Sequence, residues 1–112
     1  MARVIDRQDS RVVEAHPPTA SAQMLLNNHC HILLCIAEDS DVRLRDMADR
    51  VGITERAAFA IVKDLERAHI ITRTRVGRRN QYTIDREQKL HLPMGSSCLV
   101  GDLIETVLAT AS

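Results

Sequence analysis

The stretch Arg43-Leu44-Arg45-Asp46-Met47-Ala48-Asp49-Arg50-Val51-Gly52-Ile53-Thr54 runs directly into Glu55-Arg56-Ala57-Ala58-Phe59-Ala60-Ile61-Val62-Lys63-Asp64-Leu65-Glu66-Arg67-Ala68. Leu44, Met47, Ala48 and Val51 recur at helical spacing, which predicts a two-turn helix over 45–51 with these side chains inward. Gly52 supplies the positive φ that ends it. Thr54 is placed to cap the next helix, expected over 55–68. In that second helix Ala58, Ile61, Val62, Leu65 and Ala68 form the apolar stripe. Arg56, Ala57, Phe59, Ala60, Lys63 and Arg67 lie off it.

Outward from this pair, Ile70 to Val76 is β-rich and partly alternating. Gly77-Arg78-Arg79-Asn80 reads as a hairpin loop, and Gln81 to Ile84 as the return strand with Tyr82 and Ile84 on one face. Upstream, Asp39-Ser40-Asp41 is a turn, and a short extended piece over Val42–Leu44 follows it. A first helix is expected over 22–38 with Ser21 as its N-cap; Leu25, Leu26, His29, Leu33 and Ile36 or Ala37 follow the helical period. Its segment Ile32 to Ala37 is apolar all round, which predicts cover on more than one side, by its own domain and by a second subunit. Downstream, Pro93 and Gly95 mark 86–97 as loop. Val100, Leu103, Ile104, Val107, Leu108 and Ala111 form a final helical stripe whose apolar face must dock somewhere.

The order is helix, turn, short helix, tight turn, longer helix, arginine-rich hairpin. The fold class is therefore mainly α (α+β): a winged helix-turn-helix with a two- or three-stranded wing and a C-terminal dimerisation helix. The chain divides into an N-terminal arm, partly disordered, over 1–20, a winged helix domain over 21–97, and the C-terminal helix over 98–112. In such a unit the short helix packs across the longer one, so that the longer one projects its N-terminal half into a major groove. The groove admits one helix and presents a distinct donor and acceptor pattern for each base pair.

Composition agrees. The 112 residues suit one domain, 45% of them apolar and 27% charged. One Phe, one Tyr and no Trp argue against a single-strand stacking platform. No apolar run approaches a membrane span, and the polar N-terminus lacks the core of a signal peptide, so a cytoplasmic bacterial protein is expected. Fifteen basic and fifteen acidic residues cancel. Yet Arg43 to Arg86 holds eleven basic residues against six acidic ones, a net of +5, and Arg67 to Arg79 holds five arginines and no acid. One end of the domain should be basic, as an anionic partner requires; the alternative is a solvated charged surface.

Residues 31–93 resemble the winged helix-turn-helix of bacterial MarR-type and ArsR-type regulators. Arg43 to Thr54 is similar to their helix-turn-helix core. Asp64-Leu65-Glu66-Arg67-Ala68-His69-Ile70-Ile71 resembles the end of their recognition helix, with His69 where glycine is usual, which predicts a looser or longer C-cap. Gly77-Arg78-Arg79-Asn80-Gln81-Tyr82 resembles the wing of the small actinobacterial form. The resemblance implies base readout through Thr54, Arg56, Ala57, Phe59, Ala60 and Lys63, with Arg56 the foremost reader. Phe59 is expected to face a thymine methyl, with tucking into the domain as the alternative. Arg78 and Arg79 at the wing tip, with Asn80 shaping the turn, are expected to meet phosphate or minor groove. Arg43 and Arg45 are expected to reach phosphates beside the short helix. The dimer interface is expected on Leu25, Leu26, Leu33, Leu103, Ile104, Val107 and Leu108.

The implied function is a sequence-specific regulator of transcription, binding double-stranded DNA as a homodimer and repressing by blocking promoter access. The alternatives are a winged helix that binds protein, or a metal- or redox-responsive regulator using Cys30, His31 and Cys35. Helix geometry disfavours the last: Cys30 and Cys35 are five residues apart, roughly 500° of rotation. Only His31 and Cys35 share a face. No nucleophile motif or phosphate loop is present, so neither an enzyme nor a cofactor is expected.

Overall fold

The computed structural model describes residue 21 and residues 25–109. The arm expected over 1–20 and Ala111 of the last stripe lie outside them. The elements are α1 (Asn28–Glu38), α2 (Leu44–Val51), α3 (Glu55–Arg67), β1 (Ile71–Val76), β2 (Arg79–Ile84), β3 (Lys89–His91), β4 (Ser97–Leu99) and α4 (Val100–Leu108). This is an α+β winged helix.

Helix α1 starts later than its apolar period suggests. Asn27 is the N-cap, its side-chain oxygen accepting the Cys30 N–H at 3.0 Å. That bond supplies one of the four orphan donors with a partner, so Asn27, not Ser21, opens this helix. Ile32, Leu33, Leu34, Cys35 and Ile36 are all buried. The chain covers this all-round apolar segment by itself, with α2, α3 and α4 packed against α1. No second subunit is needed to cover it.

The α2–α3 turn follows the expected chemistry. Gly52 sits at φ 85°, and its N–H and that of Ile53 both donate to the Ala48 carbonyl. Thr54 Oγ1 accepts the Ala57 N–H at 3.0 Å and starts α3. Ala58, Ile61, Val62 and Leu65 bury the inner face of α3, whereas Ala68, expected on the stripe, is its exposed C-cap. The C-cap is neither loose nor long. His69 adopts φ 61°; its N–H donates to Glu66 O, and the Ile70 N–H donates to Leu65 O. That pair of bonds is a Schellman motif, with histidine taking the left-handed position itself.

Strands β1 and β2 pair antiparallel with Val76 opposite Arg79, leaving the two-residue loop Gly77–Arg78. Gly77 is at φ 64° and Arg78 is not at positive φ, the pattern of a type II′ turn. The wing is tied to the rest of the domain through the α1–α2 loop: the Tyr82 N–H donates to Ser40 O at 2.9 Å. Tyr82 and Ile71 bury the inner face of the wing.

The segment expected as loop over 86–97 contains a second hairpin. β3 and β4 pair antiparallel, with Leu90 opposite Cys98. Pro93 and Gly95 punctuate only its turn. The pairing runs on into α4: the Val100 and Gly101 N–H groups donate to Gln88 O and Arg86 O, both at 2.9 Å. These bonds replace a side-chain cap, which α4 lacks. The division expected between 97 and 98 falls inside β4, so α4 is continuous with the domain. Val100 and Ile104 are buried in the shared core.

Candidate nucleic-acid interface

The buried stripe of α3 fixes what its opposite side presents. At about 100° per residue, Arg56, Ala60, Lys63 and Arg67 fall in an arc of roughly 60° centred opposite that stripe. Arg56 and Ala60 are exposed, and Arg56 makes no ion pair among the described residues. Ala57 lies on the flank of this face and is half-buried. Thr54 is exposed at the helix start.

The two edges of the face differ. Towards α1, His29 Nε2 lies 2.8 Å from Asp64 Oδ2, and Arg67 pairs with Asp64 Oδ1. The His29 hydrogen bond first, and then Arg67, hold the Asp64 carboxyl below the usual carboxylate range. Towards the wing, Lys63 Nζ and the Arg73 guanidinium lie 5.8 and 5.9 Å from the Phe59 ring centroid. Glu66 joins them, 4.0 Å from Lys63 and 3.5 Å from Arg73. Phe59 is 43% exposed, so the ring meets these cations while keeping a large part of its surface open to solvent.

Arg73 is a member of this face that the motifs do not single out, although the sequence carries a signal for it. It shares a strand face with Ile71 and pairs with Tyr82, both buried, so it had to point toward α3. Arg67 is likewise outward by simple helical counting.

The remaining cations gather beside the wing. Arg45 is exposed and 3.7 Å from Glu55. An exposed pair of this kind stabilises by at most about 1 kcal/mol, so it does not withhold Arg45 from a phosphate. Arg43, the N-cap of α2, makes no side-chain cap bond. Arg79 Nη2 donates to the Asp41 carbonyl at 2.6 Å. Arg43, Arg78 and Arg79, with Asp41, Leu44 and Tyr82, line a cleft of ≈ 380 Å³ between α2 and the wing. Asn80 also lines it, and burial pushes the Tyr82 phenol up in pKa. The acidic Asp39–Asp41 turn thus docks against the basic wing.

Among the described residues, no three His, Cys, Asp or Glu side chains converge on a point that could hold a metal ion. Burial raises the thiol pKa of both Cys30 and Cys35, the opposite of the lowered pKa that activates a cysteine. Leu33 and Ile104, expected at the dimer interface, are 4% and 2% exposed within the single chain and have little surface left for a partner. Leu25 is exposed, and Leu26, Leu103, Val107 and Leu108 are half-buried. No helix among the described residues is long and apolar enough to cross a membrane.

Among curated proteins and among solved structures nothing matches the chain. Residues 25–72 match the family model for winged helix-turn-helix DNA-binding domains. That span covers α1, α2, α3 and the start of β1, and the match supports a DNA-binding regulator built on this fold.

Proposed function

We propose that the chain is a sequence-specific regulator of transcription of MarR/ArsR-like type, acting as a homodimer on double-stranded DNA. The observation that carries this reading is the outer face of α3, where Arg56, Ala60 and Lys63 stand opposite the buried stripe beside a wing tipped by Arg78. Arg56 reads a base edge, since a bidentate arginine–guanine contact discriminates by about 1–3 kcal/mol. Phe59, steadied by Lys63 and Arg73, offers its exposed edge to a thymine methyl. Thr54 and Ala57 set the start of the helix against the backbone, and Arg43, Arg45, Arg78, Arg79 and Asn80 flank the phosphates. Leu25, Leu26, Leu103, Val107 and Leu108 carry the dimer seam. Two recognition helices then meet successive major grooves about 34–36 Å apart, and occupancy of the site blocks promoter access.

Selection of duplexes from a random pool tests this. A near-palindromic site with half-sites about one helical turn apart is the expected result. Arg56→Ala should relax preference at one base position in each half-site. Arg78→Ala should weaken all sequences alike and flatten the dependence of log affinity on log salt by about 0.9 for each phosphate no longer neutralised. Failure to retain any duplex would refute the reading and leave the scaffold as a protein-binding winged helix.

A further inference from the structure

A carboxylate stands at the edge of the face that meets the anionic partner. Glu66 follows Lys63 by three residues on α3, and its Oε1 is shut off from solvent without accepting a hydrogen bond among the described residues. Two cations flank it. Arg73 Nε, from β1, is 3.5 Å from Oε2, and Lys63 Nζ is 4.0 Å from Oε1. Neither approach is as short as a hydrogen bond, so both cations hold the carboxylate by charge and neither closes on it. The two are not equivalent. The Arg73 side chain is 27% exposed and its backbone is fixed in the β1–β2 register opposite Tyr82. The Lys63 side chain is 41% exposed on the outer side of α3. Arg73 is therefore the resident counter-ion, and Lys63 is the cation that can swing away. The other acids of α3 are also met from neighbouring elements, Glu55 by Arg45 of α2 and Asp64 by His29 of α1.

We propose that Arg73 is a positioning residue for DNA binding: by neutralising Glu66 it leaves the Lys63 ammonium free to reach the duplex. The inference rests on the DNA-binding reading above. Without Arg73, Lys63 is the only cation within 4.0 Å of the Glu66 carboxylate among the described residues. An acceptor out of water that lacks a donor is costly, and an unpaired charge there is costlier. Lys63 then turns inward to Oε1, where a short swing of a flexible side chain completes a charge-assisted hydrogen bond. The readout face loses one outward cation, and whatever charge remains on Glu66 repels phosphate. Arg73 need not touch DNA for this to happen. A direct contact from Arg73 would lose the same affinity whether or not Glu66 carried a charge, so a double-variant cycle separates the two.

The full chain is tested on duplexes from the selection, with the fold of every variant checked by its backbone amide spectrum. Arg73→Gln should weaken binding about tenfold, the worth of one charge-assisted hydrogen bond. Adding Glu66→Gln to Arg73→Gln should restore affinity to within about twofold of wild type. Arg73→Lys keeps the counter-charge and should retain most of the binding. Adding instead Glu105→Gln, at an exposed position on α4, returns the same net charge and should restore nothing. The free protein supplies a second readout, because Lys63 and Lys89 are the only two lysines and isotope-labelled lysine resolves each ammonium group by NMR. In Arg73→Gln the Lys63 signal should move and its exchange with water should slow, with Lys89 unchanged; Glu66→Gln should reverse both. An Arg73→Gln variant that binds like wild type, a loss that Glu66→Gln fails to restore, or one that Glu105→Gln restores equally would overturn the proposal. So would a Lys63 signal that Arg73→Gln leaves unmoved. A chain that retains no duplex yet shows the Lys63 movement and its reversal loses the DNA reading and keeps Arg73 as the group that holds Lys63 off Glu66.

Discussion

Replacing His69 by glycine should stabilise the chain, because the cap it sits in is closed by backbone bonds. His69 is exposed and sits at φ 61°, a conformation that costs an L-residue roughly 1–2 kcal/mol. Histidine is among the residues that tolerate it better than most, so the lower part of that range applies. The two bonds that close the cap, His69 N–H to Glu66 O and Ile70 N–H to Leu65 O, are both backbone bonds at 3.0 Å and survive the change. Glycine relieves the strain but enlarges the unfolded ensemble, a loss of about 0.4–1 kcal/mol. The balance is a gain of up to about 1 kcal/mol, which for a domain of this size raises Tm by up to about 6 °C. Thermal unfolding followed by circular dichroism measures it. His69→Val, β-branched at the same φ, should lower Tm instead. If glycine lowers Tm, or valine leaves it unchanged, then α3 does not end in this motif and the wing leaves the helix at a different angle.

Gly101→Ala should cost about 1–3 kcal/mol, because an added Cβ would meet Arg86 Cβ at 2.9 Å and Arg86 O at 3.1 Å and overpacking is expensive. A neutral result in urea unfolding would mean that α4 is not docked on the residue 86 turn. Ile36→Ala, in a side chain 1% exposed, should cost about 2–5 kcal/mol by the same assay; a cost below about 1 kcal/mol would refute the placement of α1 at the centre. The depressed Asp64 carboxyl adds stability above the ordinary carboxylate range, and that contribution is lost as the pH falls through the lowered value. His29→Ala should therefore move the Asp64 titration upward in carboxyl-detected NMR, and an unmoved titration would refute the His29–Asp64 hydrogen bond.

The framework of α2, tight turn, α3 and wing is legible in the sequence because each piece carries a local signal. Gly52, Thr54 and Gly77 act within a few residues of themselves, and the α3 stripe is a matter of spacing. The second hairpin is hidden because Pro93 and Gly95 dominate a segment whose strands are three residues each. Three-residue strands have almost no periodicity to read; their pairing and the hand-off of Val100 and Gly101 to Gln88 and Arg86 are non-local. The start of α1 is obscured because an apolar period continues through Leu25 and Leu26, whereas Asn27 interrupts it with a single hydrogen bond.

Local chemistry along the chain thus settled which segments coil, where they stop, and which side of α3 faces water, since those outcomes depend on neighbours within one or two turns. Packing alone determined that Leu33 and Ile104 are spent inside one chain, that Arg73 reaches back to Phe59, and that Arg43 and Arg79 share a cleft. Such partners are separated by up to some seventy residues along the chain. Only burial of the common core, acting on all elements at once, selects which of them meet.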